Sequence, residues 1–246
     1  MHFAHYTTVV TKQKTLRYTA GDVQAKGFLA IPSRASGPFR GVLVVPEGPG
    51  LGEHARQRAM MLAELGYVAL AADLYGDGHI AQTHEEVLQR VGELRARRDV
   101  LRRRVCGGLD ALAALEYVDV HQLAAIGYCF GGMAVLELAR SGAAVARVAS
   151  FHGLLDTPRP EDARKIRADV LVFTGAQDNL VTDRDISAFE REMTAANVNW
   201  QLIKYGGAKH AFTNRIDAVK LQQLGFDYNE QADRRSWALL QLFLGE

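Results

Sequence analysis

The sequence predicts an α/β protein with a mostly parallel sheet and helices on both faces. Three observations carry that prediction. Strand-like runs recur at 41–46, 67–72, 123–126, 145–151, 170–174 and 200–205, most of them continuously apolar. Continuous apolar runs fit strands buried on both faces. Stretches of helical period separate most of these runs, and that alternation builds a parallel sheet covered on both sides. Finally, the run Leu123 to Ile126 turns sharply through Gly127-Tyr128-Cys129-Phe130-Gly131-Gly132 and continues as Met133, Val135, Leu136 and Leu138. Strand, tight glycine-flanked turn and helix follow one another there, with a thiol at the apex.

The chain has 246 residues, 48% of them apolar, enough for one large domain with a sizeable core over 1–246. The first alternating segments, Thr15 to Ala20 and Val23 to Ile31, are joined by Gly21-Asp22. That dipeptide is a hairpin signal. Pro32 and the Ser33 to Pro38 cluster end the hairpin. After the strand Gly41 to Pro46 comes a glycine-rich loop, Glu47 to Gly52. A helix is expected over Glu53 to Leu65, with Met60, Met61 and Leu65 on its apolar side.

The strand Tyr67 to Ala72 follows. Thr83 to Val118 reads as helical, with one stripe of Val87, Leu88, Val91 and Leu94 and a second of Leu101, Val105, Leu109, Leu112 and Leu115. The stripe is interrupted at Arg95 to Asp99, so two helices or one kinked helix are expected. The irregular segment from Gly76 to Arg98 is the candidate lid. Beyond the thiol turn, strands are expected at Val145 to Phe151, Val170 to Thr174 and Trp200 to Tyr205. Asp183 to Ala196 is amphipathic, and a last helix from about Gln231 carries Trp237, Leu240, Phe243 and Leu244.

In an open α/β sheet, ligands bind at the carboxyl ends of the strands. Glu47, Cys129, Asp178 and His210 all fall at such ends. The order nucleophile, acid, histidine is the chain order of an α/β-hydrolase triad, and strand–turn–helix around Cys129 is the layout of its nucleophile elbow. A free thiol has a pKa near ~8.5 and attacks as the thiolate. His210 is positioned to take and return its proton, and Asp178 to fix the imidazole tautomer. The helix starting at Phe130 points its N-terminus at the sulfur. The oxyanion donors expected are the backbone N–H groups of Phe130 and Gly48.

The motifs G-Y-C-F-G-G, G-A-Q-D, G-A-K-H-A-F and the acidic residue of V-V-P-E-G together resemble the dienelactone hydrolase (carboxymethylenebutenolidase) family. The resemblance spans nearly the whole chain. It implies an α/β-hydrolase fold, a Cys129–Asp178–His210 triad and a hydrolase cleaving a lactone, activated ester or thioester without metal or cofactor. It also implies that Glu47 contacts the resting thiol until substrate releases it. A carboxylate there raises the thiol's pKa and protects it from oxidation. Members that cleave dienelactone carry a serine after the histidine and an arginine three further on; here these are Ala211 and Asn214. Candidate substrate contacts are therefore Tyr128, His152, Asn214 and Arg215, with Arg95, Arg97 and Arg98 as further cations.

Other classes find less support. A formal charge of +1 gives no case for nucleic acid or a membrane surface. Two cysteines do not make a disulfide framework, and Cys106 lies on a helical stripe as packing. The N-terminal dozen residues lack a signal-peptide core, so a cytoplasmic protein, monomer or small homo-oligomer, is expected. His54, His79, His84 and His121 form no metal spacing. Glutamine amidotransferases share a G-x-C-x-G elbow but place a glutamate two residues after their histidine, where this chain has Phe212. A binding or thiol redox-sensing module on the same scaffold is the non-enzyme alternative.

Overall fold

The computed structural model describes residues 11–33 and 37–246. The N-terminal stretch and part of the Ser33 to Pro38 turn lie outside them. The strands are β1 (Thr11–Ala20), β2 (Val23–Pro32), β3 (Phe39–Val45), β4 (Val68–Ala71), β5 (Val118–Tyr128), β6 (Arg147–Phe151), β7 (Asp169–Gly175) and β8 (Trp200–Tyr205). They form one sheet in the order β1-β2-β4-β3-β5-β6-β7-β8. The β1–β2 hairpin turns at Gly21-Asp22 with Ala20 opposite Val23. It meets β4 antiparallel, and every pairing from β4 to β8 is parallel.

Alternation divides each strand between two cores. In β3, Val42 and Val44 face the side covered by α1 (Glu53–Glu64) and α7 (Glu230–Gly245). Leu43 and Val45 face the side covered by α2 (His84–Ala96), α3 (Arg98–Ala113), α4 (Phe130–Arg140) and α5 (Asp183–Ala195). Each face is therefore sealed by helices, which is what near-continuous apolar strands require. Among the described residues, no helix is long and apolar enough to cross a membrane.

The elements depart from expectation in instructive places. The side of α1 that faces the sheet is His54, Ala55, Arg58, Ala59, Leu62 and Ala63, whereas Met60 and Met61 are half-buried and Leu65 is 45% exposed. Small alanines let the helix lie close to the sheet, and a reading that weights large apolar side chains misses them. The α2 stripe is only partly covered: Leu94 is buried and Leu88 is 60% exposed. The interruption at Arg95 to Asp99 is a break at Arg97, between α2 and α3, where the backbone leaves helical geometry (φ −114°, ψ 62°). β5 starts earlier than its apolar run because Asp119 pairs with Arg40 before a register shift into Gly41. Neither the 3₁₀ turn Pro160–Lys165 nor the short α6 (Ala218–Gln222) carries an apolar period that announces it.

Candidate active site

The elbow is built by glycines that nothing larger can replace. Cys129 sits between β5 and α4 at φ 53°, ψ −116°, a strained backbone for an L-residue. A Cβ on Gly127 would lie 2.0 Å from the Gly131 carbonyl oxygen. A Cβ on Gly131 would lie 2.2 Å from the Val45 oxygen, so strand β3 presses against the turn. The thiol emerges half-buried at the carboxyl edge of the sheet.

His210 follows β8 and Asp178 follows β7, and the two side chains converge on Cys129. His210 Nε2 lies 3.0 Å from Cys129 Sγ, and Nδ1 lies 2.9 Å from Asp178 Oδ2. Asp178 Oδ1 accepts the Leu180 N–H at 2.9 Å, which fixes the carboxylate. Both partners are buried, and the Phe226 ring covers the imidazole at 4.7 Å. Burial works against a charge on His210, but the Cys129 sulfur and Asp178 outweigh it and push its pKa up to about 10. The site thus favours an imidazolium whenever the sulfur is a thiolate.

Phe130 is the first residue of α4, so its N–H has no partner within the helix. Gly48 lies in the loop after β3, and its carbonyl accepts the Tyr75 hydroxyl at 2.6 Å. Val87 of α2 leaves no room for a side chain there, since a Cβ on Gly48 would come within 2.9 Å of it. Tyr75 and α2 therefore hold the loop that carries the second candidate oxyanion donor.

The remaining candidates are placed differently from expectation. Tyr128 is fully buried, stacked on Phe151 at 4.7 Å and edge-on to His54. As a strand residue next to the elbow, it points into the sheet face opposite the thiol and packs there. His152 is also fully buried. Its Nδ1 accepts the Cys129 N–H at 3.1 Å and its Nε2 meets Thr213 Oγ1 at 2.8 Å. Burial, with His210, His54 and Arg58 nearby, holds its pKa well below the usual value, so it is neutral with the proton on Nε2. It braces the elbow from behind and does not wall a cleft. Asn214 is 2% exposed, with Nδ2 at 3.1 and 3.2 Å from the two Glu47 oxygens. Arg215 is exposed and Arg97 likewise. Arg95 and Arg98 are tied to Asp156 at 3.2 and 3.0 Å.

Glu47 does not bond the thiol. Its carboxylate is taken up by Asn214 and by His54 Nδ1, 3.1 Å from Oε1 but off the line of a straight hydrogen bond. Burial opposes its charge, but His54, Asn214 and His210 more than compensate and hold the carboxyl below the usual range. His54 is itself held. Arg58 Nε donates to His54 Nε2 at 3.1 Å, and the same guanidinium reaches Asp233 of α7 and the Thr213 carbonyl. His54, Arg58, Tyr75, Thr213 and Phe226 had no sequence signal: each lies outside any motif, and the inward-facing pair on α1 interrupts an apolar period.

Comparison with known proteins identifies the family and the fold. The model of the dienelactone hydrolase family matches residues 25–246. A Yersinia pestis protein called "Putative carboxymethylenebutenolidase" is 30% identical over 230 residues, covering 86% of this chain and 85% of that one. The structure of m3DLH superposes with a TM-score of 0.91 at 41% identity, covering 96% of this chain and 98% of that one. A dienelactone hydrolase-like promiscuous phosphotriesterase from metagenomic libraries gives 0.90 at 37%, with the same coverage. The chain, with its α/β-hydrolase fold, belongs to the dienelactone hydrolase family, hydrolases acting on ester and lactone bonds.

Proposed function

We propose that the protein is a cysteine hydrolase that cleaves an uncharged, activated ester or lactone through an acyl-enzyme. The observation that carries this is the unbroken chain Sγ–His210–Asp178 at 3.0 and 2.9 Å, with the sulfur at the N-terminus of α4. The thiolate attacks the acyl carbon, and its proton rests on His210 Nε2. The carbonyl oxygen becomes an oxyanion facing the N–H groups of Phe130 and Gly48. As the C–O bond breaks, the leaving oxygen takes the proton from His210; in a lactone it stays attached and the ring opens. Water then attacks the thioester, His210 accepts its proton, and C–S cleavage returns the thiol and a carboxylic acid.

The charge around the site supports an uncharged substrate. Glu47 is a carboxylate beside His210, Asn214 stands where a carboxylate-binding arginine is found in dienelactone-cleaving relatives, and Arg95 and Arg98 are occupied by Asp156. A substrate carboxylate would meet like charge. The relative named as a promiscuous phosphotriesterase makes a neutral phosphotriester the second substrate to test, since its tetrahedral phosphorus resembles the acyl intermediate in shape.

The test is intact-protein mass spectrometry and turnover with p-nitrophenyl acetate, an acyl thioester, dienelactone and a neutral aryl phosphotriester. Wild type is expected to give an acyl adduct with the neutral esters and little turnover of anionic dienelactone. Cys129→Ala should lose the adduct and reduce turnover by roughly 10³-fold or more. An adduct that persists in the variant, or dienelactone as the best substrate, overturns the reading.

A further inference from the structure

Glu47 is near enough to feel the charge of His210, the partner of Cys129; what keeps this carboxylate from capturing the thiol proton itself? Asn214, from the loop after His210, donates to both Glu47 oxygens, and His54 of α1 brings Nδ1 to 3.1 Å from Oε1 at an angle that falls short of a straight hydrogen bond. Cys129 instead meets His210 at 3.0 Å. Around these stand His210 itself, Arg58 and Tyr128 on the α1 side, His152 behind the elbow, and Asp217, which shares the Asn214 amide at 3.2 Å.

The tautomer of His54 is decided by its neighbour. Arg58 Nε can only donate, so the His54 Nε2 that it meets at 3.1 Å must offer a lone pair. The imidazole proton is therefore on Nδ1, the nitrogen 3.1 Å from Glu47. Arg58 cannot drift, because it is buried, clamped by Asp233 and the Thr213 carbonyl, and covered by Tyr128 and Trp237 at 5.6 and 5.2 Å.

We propose that His54, oriented by Arg58, is a positioning residue that holds Glu47 turned away from the sulfur, so that the resting Cys129 stays paired with His210. This rests on the cysteine-hydrolase reading for its purpose, but it concerns the thiol of the free enzyme. Asn214 is neutral and anchored by its own loop, its Oδ1 accepting the N–H groups of Ile216 and Asp217. Among the described residues the side chains that contact the Glu47 carboxylate are Asn214 and His54, neither of them a fixed cation that a substrate carboxylate could draw away. The resting enzyme is therefore armed before substrate arrives.

The test reads Cys129 alkylation by iodoacetamide against pH, resolved by peptide mass from Cys106. His54→Phe keeps bulk but removes both polar roles. Glu47 can then turn to the thiol and raise its pKa. The alkylation titration should move upward by roughly one unit, and at pH values below the wild-type midpoint the rate should fall roughly tenfold. His54→Gln carries a donor and an acceptor and should retain the wild-type profile. The double variant His54→Phe/Glu47→Gln should regain fast alkylation, because no carboxylate is left to capture the sulfur.

A wild-type profile in His54→Phe overturns the proposal. So does slow alkylation that Glu47→Gln fails to rescue, which marks His54 as merely structural. Alkylation needs no turnover, so an enzyme that forms no acyl adduct would defeat the hydrolase reading while leaving this measurement intact.

Discussion

At Gly131 a single hydrogen atom separates a working elbow from a collision with the neighbouring strand. A Cβ there would sit 2.2 Å from backbone, the Val45 carbonyl of β3, so no rotamer change relieves the clash. Gly131→Ala should cost about 1–3 kcal/mol, seen as a lower urea midpoint, and should displace Cys129 enough to slow acylation; equal stability and rate would show that β3 gives way. This need was legible in the sequence, because two glycines flank the cysteine at fixed spacing. The need for His54 and Arg58 was not. Periodicity counts apolar residues, and a polar pair facing inward reads as solvent-exposed until its partners Glu47 and Asp233 are placed by distant parts of the chain.

Helix α4 carries the residue that follows Cys129 at one end and a buried charge network at the other. Glu137 and Arg140 on α4 are both fully buried. Arg140 binds Glu192 of α5 at 2.8 Å and Glu137 at 3.1 Å; Arg102 of α3 binds Glu137 at 2.9 Å and also Asp162. Removing one member leaves buried charge uncompensated, so Glu137→Ala should destabilise by about 3–5 kcal/mol in chemical denaturation. A loss under about 1 kcal/mol would mean that water or Asp162 takes over Arg102. From sequence, the arginines of 95–104 read as a solvated helix face. Arg95, Arg97 and Arg103 are exposed in that way, but Arg98 and Arg102 are buried; that burial depends on how α3 lies against its neighbours, and the acidic partners of Arg102, 35 and 60 residues away, give no local pattern. The strands and helices themselves were legible because period and glycine punctuation are local properties.

Across the whole molecule, two histidines pull stability in opposite directions with pH. His152 is held neutral, with a folded pKa well below its ordinary value. Below pH ~6.5 the unfolded chain takes a proton that the folded one refuses, so stability drops as pH falls. His210, raised to about 10, stabilises fully below ~6.5 and loses that contribution as pH rises through 10. Thermal melts should therefore peak near neutrality. His152→Gln, which can still accept from Cys129 and donate to Thr213, should flatten the limb between about pH 6.5 and 5, above the range where the depressed carboxyls of Glu47 and Asp162 titrate. An unchanged slope would place the acid sensitivity elsewhere.

The bond from Asp233 to Arg58 gives the C-terminal helix a part in this site. Proteolytic trimming of α7 would do more than uncover one face of the sheet. It would also strand the Arg58 guanidinium that meets His54 beside Glu47, so cutting the chain back before Asn229 would touch the surroundings of Cys129 as well as the core.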